Sequence, residues 1–447
     1  MLRFSSLLAA VADGSSWTTI PNTRCHNDLG QAHGVPSLTA CEAAAPPAAG
    51  TVTYCPPAGG VGCSAVDPGG PQPSTCWFFS AAATCEAAQG WASASRPLPT
   101  PTPPPPPPSD WAPRIAAGHM AFTAASPEEI GLGFFPMVGN GFLGLEAGPF
   151  VQVFENAWPW RDAGSLKLSG VYSGYNYTTP SHRAQLPRVS GVALAPAPGA
   201  LYEPVGAAID FERGVFLNRT RVVAAPGCPS GTIIELALYA HRALRELFVM
   251  ELRAFPEAGG GVDGDWSCSV PVTWDISPTA APWSTDVHLA PLPAPPPGAV
   301  VWGGATAEPE EPGGEVRALA MVLDAWAAAA PAALNFSSRA PLLAVRAVLR
   351  SDLDVGGGAG VAGVAGVAAA AAATWEGYAA QPAAALRASH EAAWGALWAG
   401  GGVELAGNAS LATAVNASLY DIVSSLRGDW PWSTSPGGLA TGGYSGQ

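Results

Sequence analysis

Short apolar runs separated by Gly and Pro clusters dominate the chain between residues 131 and 349. The runs are rich in Val, Ile, Leu and aromatic residues, which favour strands. They lie at 150–154, 191–195, 232–239, 247–252, 270–274 and 342–349. Many short strands with turn residues between them predict a large β-sandwich over residues 109–355, so the fold class is mainly β.

The spacing of apolar residues changes beyond residue 375. Apolar or small residues recur three and four positions apart at Ala385, Leu386, Ser389, His390, Ala393, Trp394, Leu397 and Trp398. This spacing predicts an amphipathic helix, with Trp394 and Trp398 packed against the sandwich. A second helix is predicted from Ser410 to Leu426. Its apolar side carries Leu411, Val415, Leu419, Ile422, Val423 and Leu426.

The segment 356–374 lies between the predicted sandwich and the first of these helices, and it contains only Gly, Ala, Val and Thr. The uncharged stretch from Val355 to Trp375 is about as long as a membrane helix. Gly and Ala gain little from lipid, however, and repeated Gly opposes helix formation. We therefore expect a flexible, low-complexity insertion and no membrane span.

Composition narrows the classes of function. Of the 447 residues only 12% are charged, and the formal net charge is -14. A nucleic-acid-binding protein needs a basic surface for phosphate contacts, so this class is excluded. The length allows two or three domains with sizeable cores.

Residues 17–96 form a cysteine-rich segment. Its six cysteines are Cys25, Cys41, Cys55, Cys63, Cys76 and Cys85. An even number in so short a stretch predicts a disulfide framework, for which fifteen pairings exist. A zinc site is disfavoured because no Cys-x-x-Cys pair occurs. The start Cys25-His-Asn-Asp28 and the later Cys76-Trp-Phe-Phe resemble PAN/apple modules, and a disulfide-stabilised module with an unknown partner is the equal alternative.

Residues 97–108 contain six consecutive prolines and predict a polyproline II rod that acts as a spacer. Residues 1–12 have the positive start and short apolar run of a signal peptide. Five glycosylation sequons occur, at Asn176, Asn218, Asn335, Asn408 and Asn416. Together with the clustered cysteines they predict a secreted protein, extracellular or in the lumen of the secretory pathway. An intracellular SH3 or WW partner for the prolines does not fit export.

Six further segments occur in a fixed order. They are Pro136–Gly144, Gly170–Gly174, Ser181–Pro187, Tyr239–Arg242, His390–Trp398 and Ser435–Gln447. In this order they resemble glycoside hydrolase family 65, which includes glucosylgalactosylhydroxylysine glucosidases, acid trehalases and disaccharide phosphorylases. The resemblance implies a β-sandwich followed by an (α/α)6 catalytic barrel. It also implies release of α-linked glucose with inversion, from a disaccharide or a glucosylgalactosyl-hydroxylysine.

In that family the Gly-Gly-Leu and Gly-Tyr region runs into a Phe-Trp-Asp segment, and the catalytic glutamate follows later. Residues 375–447 would accordingly be a linker helix and the start of an incomplete barrel. We therefore expect no catalytic residue within the sequence, an inactive chain, and poor solubility from an uncovered apolar face on the second helix. The alternative is a non-catalytic matrix or cell-wall protein that binds glycans or proteins.

Inverting hydrolysis requires two carboxyl groups about 6.5 to 9.5 Å apart. Asp210 and Glu212 would share a strand face, and Glu155 lies near Trp158 and Trp160. We expect these carboxylates to be solvated. The same holds for the loop residues Glu308, Glu310 and Glu311.

The pairs His182-Arg183 and His241-Arg242 are expected to be buried and hydrogen-bonded rather than catalytic. Trp430 and Trp432 could stack on a sugar, and the resemblance adds Gly438, Leu439 and Tyr444 as sugar-proximal. No metal or cofactor motif occurs. The expected ligand is a carbohydrate or glycoprotein, and the oligomeric state stays open.

Overall fold

The computed structural model describes most of the chain from residue 107 to 434. Gaps lie at 124–136, 147–165, 174–181, 188, 190, 196, 258–263, 275–285, 311–312, 356–362, 402, 404 and 406. Before residue 107 it describes the backbone of five strands. The chain divides into two compact units, one of residues 1–104 with 129–131 and one of residues 105–128 with 132–447.

The first unit contains a five-stranded antiparallel sheet in the order β1-β5-β3-β4-β2. The strands are β1 Thr18–Cys25, β2 Asp28–Ala32, β3 Ala49–Tyr54, β4 Cys76–Ser80 and β5 Cys85–Ser95. The pairing of β1 with β5 places Cys25 opposite Cys85 in the backbone register. The disulfide framework predicted for this segment, the signal peptide at 1–12 and most of the linker at 97–108 lie outside the described residues.

The second unit contains the other seventeen described strands. They are β6 Met120–Thr123, β7 Met137–Gly139, β8 Leu143–Glu146, β9 Leu166–Leu168, β10 Tyr172–Ser173, β11 His182–Arg183, β12 Val192–Leu194, β13 Leu201–Asp210, β14 Val215–Ala224, β15 Thr232–Ala240, β16 Leu247–Pro256, β17 Ser267–Trp274, β18 Val287–Pro291, β19 Ala299–Thr306, β20 Ala318–Asp324, β21 Ala333–Ser337 and β22 Leu342–Ser351.

Nine of these strands form one antiparallel sheet in the order β18-β19-β20-β22-β16-β15-β14-β13-β6. Smaller sheets, β12-β17-β21 and β7-β8-β9, contribute to the same core. The helices are α1 Ala112–Ala116, α2 Ala325–Ala328, α3 Gly363–Ala379, α4 Ala383–Ala399 and α5 Ala409–Ser425. A 3-10 turn spans Asp352–Asp354.

Both faces of the large sheet are buried. Along β15, Leu236 and Leu238 join the core shared with the smaller sheets, whereas Ala237 and Tyr239 join the core beneath the helices. This alternation follows from the two-residue period of a strand. The mainly β prediction is confirmed, and five of the six predicted runs are strands. The run at 150–154 lies outside the described residues.

The prediction of a flexible insertion at 356–374 is wrong from residue 363 onward, because α3 begins at Gly363. The six alanines Ala368–Ala373 have the highest helix propensity of any residue. Packing against the large sheet buries Val367, Ala371 and Trp375, and this offsets the cost of the glycines. Among the described helices none is long and apolar enough to cross a membrane.

The predicted helix at 385–398 is confirmed as α4, and Trp394 is fully buried in the core. The second predicted helix is confirmed as α5, and part of its apolar side is uncovered, as expected. The side that packs on the sandwich consists of Ala412, Asn416, Tyr420 and Ser424. The larger apolar side chains Leu411, Ile422 and Leu426 are 49%, 57% and 50% exposed.

Candidate functional site

Asn140, in the Gly-Asn-Gly motif that follows β7, has its side chain fully buried and satisfied by backbone groups. Its Nδ2 donates to the carbonyl oxygens of His241 and Arg245, at 3.0 and 2.9 Å. Its Oδ1 accepts from the amides of Phe142 and Leu143, at 2.8 and 2.7 Å. One side chain thus fixes both its own turn and the segment that follows β15.

The same turn receives the end of α5. The Gly141 amide donates to Ser424 O at 2.7 Å. Arg242 Nη1 donates to the carbonyl oxygens of Asn140 and Val423, both at 2.9 Å. Burial, together with the nearby Arg427, lowers the pKa of Arg242 to about 10. The half-buried guanidinium thus binds backbone carbonyls of the Gly-Asn-Gly turn and of α5.

Arg427 adds a second guanidinium to this turn. Its Nη1 donates to Arg242 O at 2.7 Å and to Asn140 O at 3.2 Å. Its Nε donates to Asp429 at 2.8 Å. We call the region formed by 139–143, 239–245, α4 and 423–427 the junction. It joins the sandwich to α4 and α5.

Two buried histidines link α4 to the sandwich. His241 Nδ1 accepts from the Leu244 amide at 3.1 Å, and its Nε2 lies 3.0 Å from Leu386 O. His390 Nδ1 accepts from the Arg242 amide at 3.1 Å, and its Nε2 lies 3.2 Å from Gly214 O. An amide facing Nδ1 and a carbonyl facing Nε2 require neutral rings that carry the proton on Nε2. The expected buried, hydrogen-bonded role of His241 is confirmed.

Both histidines resist protonation. Burial lowers the pKa of His241 to about 4. Burial, with His241 and Arg387 close by, lowers the pKa of His390 well below its ordinary value. Because these folded-state pKa values are depressed, the unfolded chain takes up protons first. The stability they contribute is present above about pH 6.5 and is lost as the pH falls toward 4.

We expect His241→Gln to reduce this pH dependence. From pH 7 to pH 5, the wild-type chain should lose about 2 kcal/mol more unfolding free energy than H241Q, measured by urea denaturation. Asp354 and Asp421 have pKa values raised by burial to about 6, which stabilises the fold as the pH falls. Both proteins contain them, so their effect cancels. Equal losses in the two proteins would contradict the assignment.

A network of hydrogen bonds and ion pairs runs from Tyr239 of the sandwich to side chains of α4. Its hydroxyl donates to the buried Glu251 at 2.8 Å, and Arg387 of α4 donates to Glu251 at 3.2 Å. Arg387 also binds Glu391 at 2.6 Å. Arg213 then lies 3.8 Å from Glu391. Each of these carboxylates is paired with arginine, which suits positioning of α4 better than proton transfer.

The prediction that Asp210 is solvated is wrong. Asp210 is 1% exposed, and Arg114 bridges it to Glu212 with distances of 2.6 and 2.8 Å. Burial raises the pKa of Asp210, while Arg114 opposes that rise. Arg114 lies in α1, just after the proline-rich segment, so the strand pattern alone gives no sign of it. The two carboxylates therefore share one cation.

Trp430 and Trp432, the two residues predicted to stack on a sugar, differ in their surroundings. The ring of Trp430 is half-buried, makes an edge contact with Phe142 at 5.1 Å and lies under Arg245 at 4.6 Å. Trp432 is 49% exposed and approaches Gly170, the start of another family-like segment. Trp432 is therefore the more exposed of the two rings. Gly438, Leu439 and Tyr444 lie outside the described residues.

The remaining candidates lie apart from the junction. Glu308 and Glu310 are exposed after β19, as expected. Glu155, Trp158, Trp160, Glu311 and the side chain of His182 lie outside the described residues, and Arg183 is buried. In the described part of the chain, no three His, Cys, Asp or Glu residues could hold a metal ion together.

Of the predicted acceptors, Asn335 and Asn408 are exposed. Asn218 and Asn416 are each 5% exposed, and Asn416 donates to Gly118 O at 3.0 Å. Asn176 lies outside the described residues. A disulfide that the sequence reading missed joins Cys228 to Cys268. Nothing in the spacing of these two cysteines, forty residues apart, pairs them before the strands are placed.

No family model matches the chain. Among curated proteins, a protein-glucosylgalactosylhydroxylysine glucosidase from Dictyostelium discoideum is 24% identical over 352 residues, which cover 75% of this chain and 42% of that protein. The chain thus spans about two-fifths of the length of this relative.

Among solved structures, one titled "Putative kojibiose phosphorylase from human microbiome" aligns with 69% of this chain and 42% of its own, at a TM-score of 0.47 and 8% identity. The likeness of residues 17–96 to PAN/apple modules finds no support in these comparisons. Three of the six segments that gave the resemblance, those that contain Asn140, His241 and His390, meet at the junction, and the curated relative agrees with the resemblance. The family that this chain resembles is therefore glycoside hydrolase family 65.

Proposed function

We propose that the second unit supports the release of α-linked glucose by holding the helices that lead into a sugar-cleaving domain. The observation that carries this proposal is that three of the family-like segments, those that contain Asn140, His241 and His390, meet in hydrogen bonds between the sandwich and the helices. The substrate class follows from the name of the curated relative, a glucosylgalactosylhydroxylysine glucosidase. A glucosylgalactosyl-hydroxylysine or an α-linked glucose disaccharide is the proposed substrate.

The described carboxylates support a structural role for this part of the chain. An inverting glycosidase needs one protonated acid and one base that activates water between them. Asp210 and Glu212 instead bind the same guanidinium, and Glu251 is enclosed by Tyr239 and Arg387. Each of these three carboxylates is therefore bound to an arginine and is not free to activate a water. We therefore propose that the described residues do not themselves cleave the substrate.

Glucose release tests this proposal. The purified chain should release no glucose above a mock preparation from glucosylgalactosyl-hydroxylysine peptide, kojibiose, trehalose or maltose, with or without phosphate. Cooperative urea unfolding must show that the same sample is folded. Release that disappears in D210N or E212Q would overturn the proposal, and release that disappears in E155Q would place the base outside the described residues.

A non-catalytic glycan-binding role is the second candidate, because Trp432 offers an exposed ring. We expect W432A to leave the free energy of unfolding within about 0.5 kcal/mol of wild type. W430A should lose about 3 kcal/mol, because its ring packs on Phe142 and Arg245. Saturation-transfer NMR with the glucosylgalactosyl-hydroxylysine peptide detects binding of this peptide to the chain. A signal lost in W432A favours the binding role, and a signal unchanged in W432A excludes this ring.

A further inference from the structure

We infer that the folded chain accepts N-linked glycans on Asn335 and Asn408 and excludes them from Asn218 and Asn416. The four sequons are alike in sequence, since each is Asn-x-Ser or Asn-x-Thr. Their surroundings in the fold differ. The inference concerns modification and does not depend on the proposed glucosidase role.

Asn335 lies on an outer strand. β21 is at the edge of the sheet β12-β17-β21, and Asn335 pairs with Ser269 of β17. Its neighbours Leu334 and Phe336 are 2% and 3% exposed, so the alternation of the strand directs Asn335 to solvent. A glycan there fits without disturbing the core. It would also cover a sheet edge, which otherwise invites pairing with other chains.

Asn408 is the N-cap of α5, and its Oδ1 accepts from the Leu411 amide at 3.0 Å. A glycan is attached to the amide nitrogen and leaves that oxygen free to accept. Modification and capping are therefore compatible at this exposed position. The cap also holds the first turn of α5 in a fixed geometry, which keeps the acceptor presented to solvent.

The other two sequons have no room for a glycan. Asn218 of β14 is 5% exposed and, by the alternation of the strand, lies on the same face as the core residues Phe216 and Val222. Asn416 faces the sandwich from α5 and donates to Gly118 O. A glycan on either residue would separate elements that are packed in the fold, so molecules modified there would not reach this structure.

The Cys228–Cys268 disulfide indicates an oxidising compartment, which agrees with N-glycosylation. Cys268 is 1% exposed and lies opposite Phe336 in the register of β17 and β21, one position from the Ser269–Asn335 pair. Disulfides persist in oxidising compartments, and the secretory pathway is where N-glycans are added. Disulfide and acceptor therefore belong to one route of maturation.

Glycan mapping tests the inference. The chain is secreted from a eukaryotic host on the host's cleavable leader, with N176Q present in every sample so that only the four described sequons are compared. Peptide-N-glycosidase in heavy-oxygen water then marks each formerly glycosylated asparagine as labelled aspartate. The expected result is label at Asn335 and Asn408 only. Label at Asn218 or Asn416, or none at Asn335 and Asn408, overturns the inference.

Matched variants check the map by gel mobility. N335Q should remove one glycan, and S410A should remove another while leaving the Asn408 cap intact. T220A and S418A destroy the sequons of Asn218 and Asn416 and should change nothing; loss of a glycan in either one contradicts the inference. A parallel sample with its own residues 1–12 tests export separately: glycosylated protein in the medium supports secretion, and unglycosylated protein in the cytosol overturns it.

Discussion

Asn140→Ala should lower the unfolding free energy of the second unit by about 4 kcal/mol, measured by urea denaturation. The side chain makes four hydrogen bonds, and all four partners are backbone groups. Alanine leaves two carbonyl oxygens and two amides without their partner, each at a cost of about 1 to 3 kcal/mol when it stays buried. Partial rearrangement of the turn keeps the total loss of unfolding free energy below the sum of these four costs.

Asn140→Asp separates hydrogen bonding from packing. Aspartate has nearly the same volume and keeps the acceptor toward Phe142 and Leu143. Its second oxygen, however, faces the carbonyl oxygens of His241 and Arg245 in place of an NH2 group. We expect N140D to be at least as unstable as N140A, and N335A, at an exposed site, to change by less than about 0.5 kcal/mol. A stable N140D would show that shape alone matters at this position.

Gly141→Ala is the second substitution with a large expected effect. We expect it to lower the unfolding free energy by about 3 kcal/mol or more. Gly141 has φ +83°, which alanine adopts with strain. An added methyl group would also overlap the backbone of Leu426 and the side chain of Arg427. The end of α5 must therefore move away from the turn.

Gly199→Ala is the matched control for this substitution. Gly199 has φ +77°, almost the same as Gly141, but nothing lies within 4 Å of an added methyl group. We expect G199A to lose only about 1 kcal/mol, the cost of the positive φ. The difference between the two variants measures the contact with α5. Equal losses would contradict a close docking of α5 on the Gly-Asn-Gly turn.

Much of the sandwich could be predicted from the sequence, because strands such as β15 and β16 consist of β-branched and apolar residues bounded by turn residues. α4 could be predicted for a similar reason, since its large side chains repeat at helical spacing. The conversion of the Gly/Ala segment into α3 could not, because the burial of Trp375 on the sheet decides it. A sequence window contains no information about that surface.

The packed face of α5 shows a second limit of sequence reading. The apolar pattern identifies Leu411 and Ile422 as one side of the helix but does not show which side packs on the sandwich, where the contact with the Gly118 turn admits only a small side chain at Ala412. Hydrogen bonds from Asn416 to Gly118 and from Tyr420 to Met137 complete that face. A polar, close-packed contact selects partners by shape and hydrogen bonding, which an apolar pattern does not record.

The sequence predicts some residues of the candidate site but not the contacts that bring them together. The sequence correctly predicts that His241 is buried and hydrogen-bonded and that Trp394 packs in the core. Arg427 was not singled out, since an arginine after a helix has no distinctive local pattern. The pairing of Asp210 with Arg114 spans 96 residues and was hidden for the same reason.

Hydrogen exchange of α5 tests the central claim most directly, namely that the junction holds the helices and the sandwich as one cooperative body. We predict that amides in Ala409–Ser425 exchange only by global unfolding, with protection within about 1 kcal/mol of that in β15 and β16. A helix of this length is marginal in isolation. Rapid exchange throughout α5 while β15 and β16 stay protected would contradict the account.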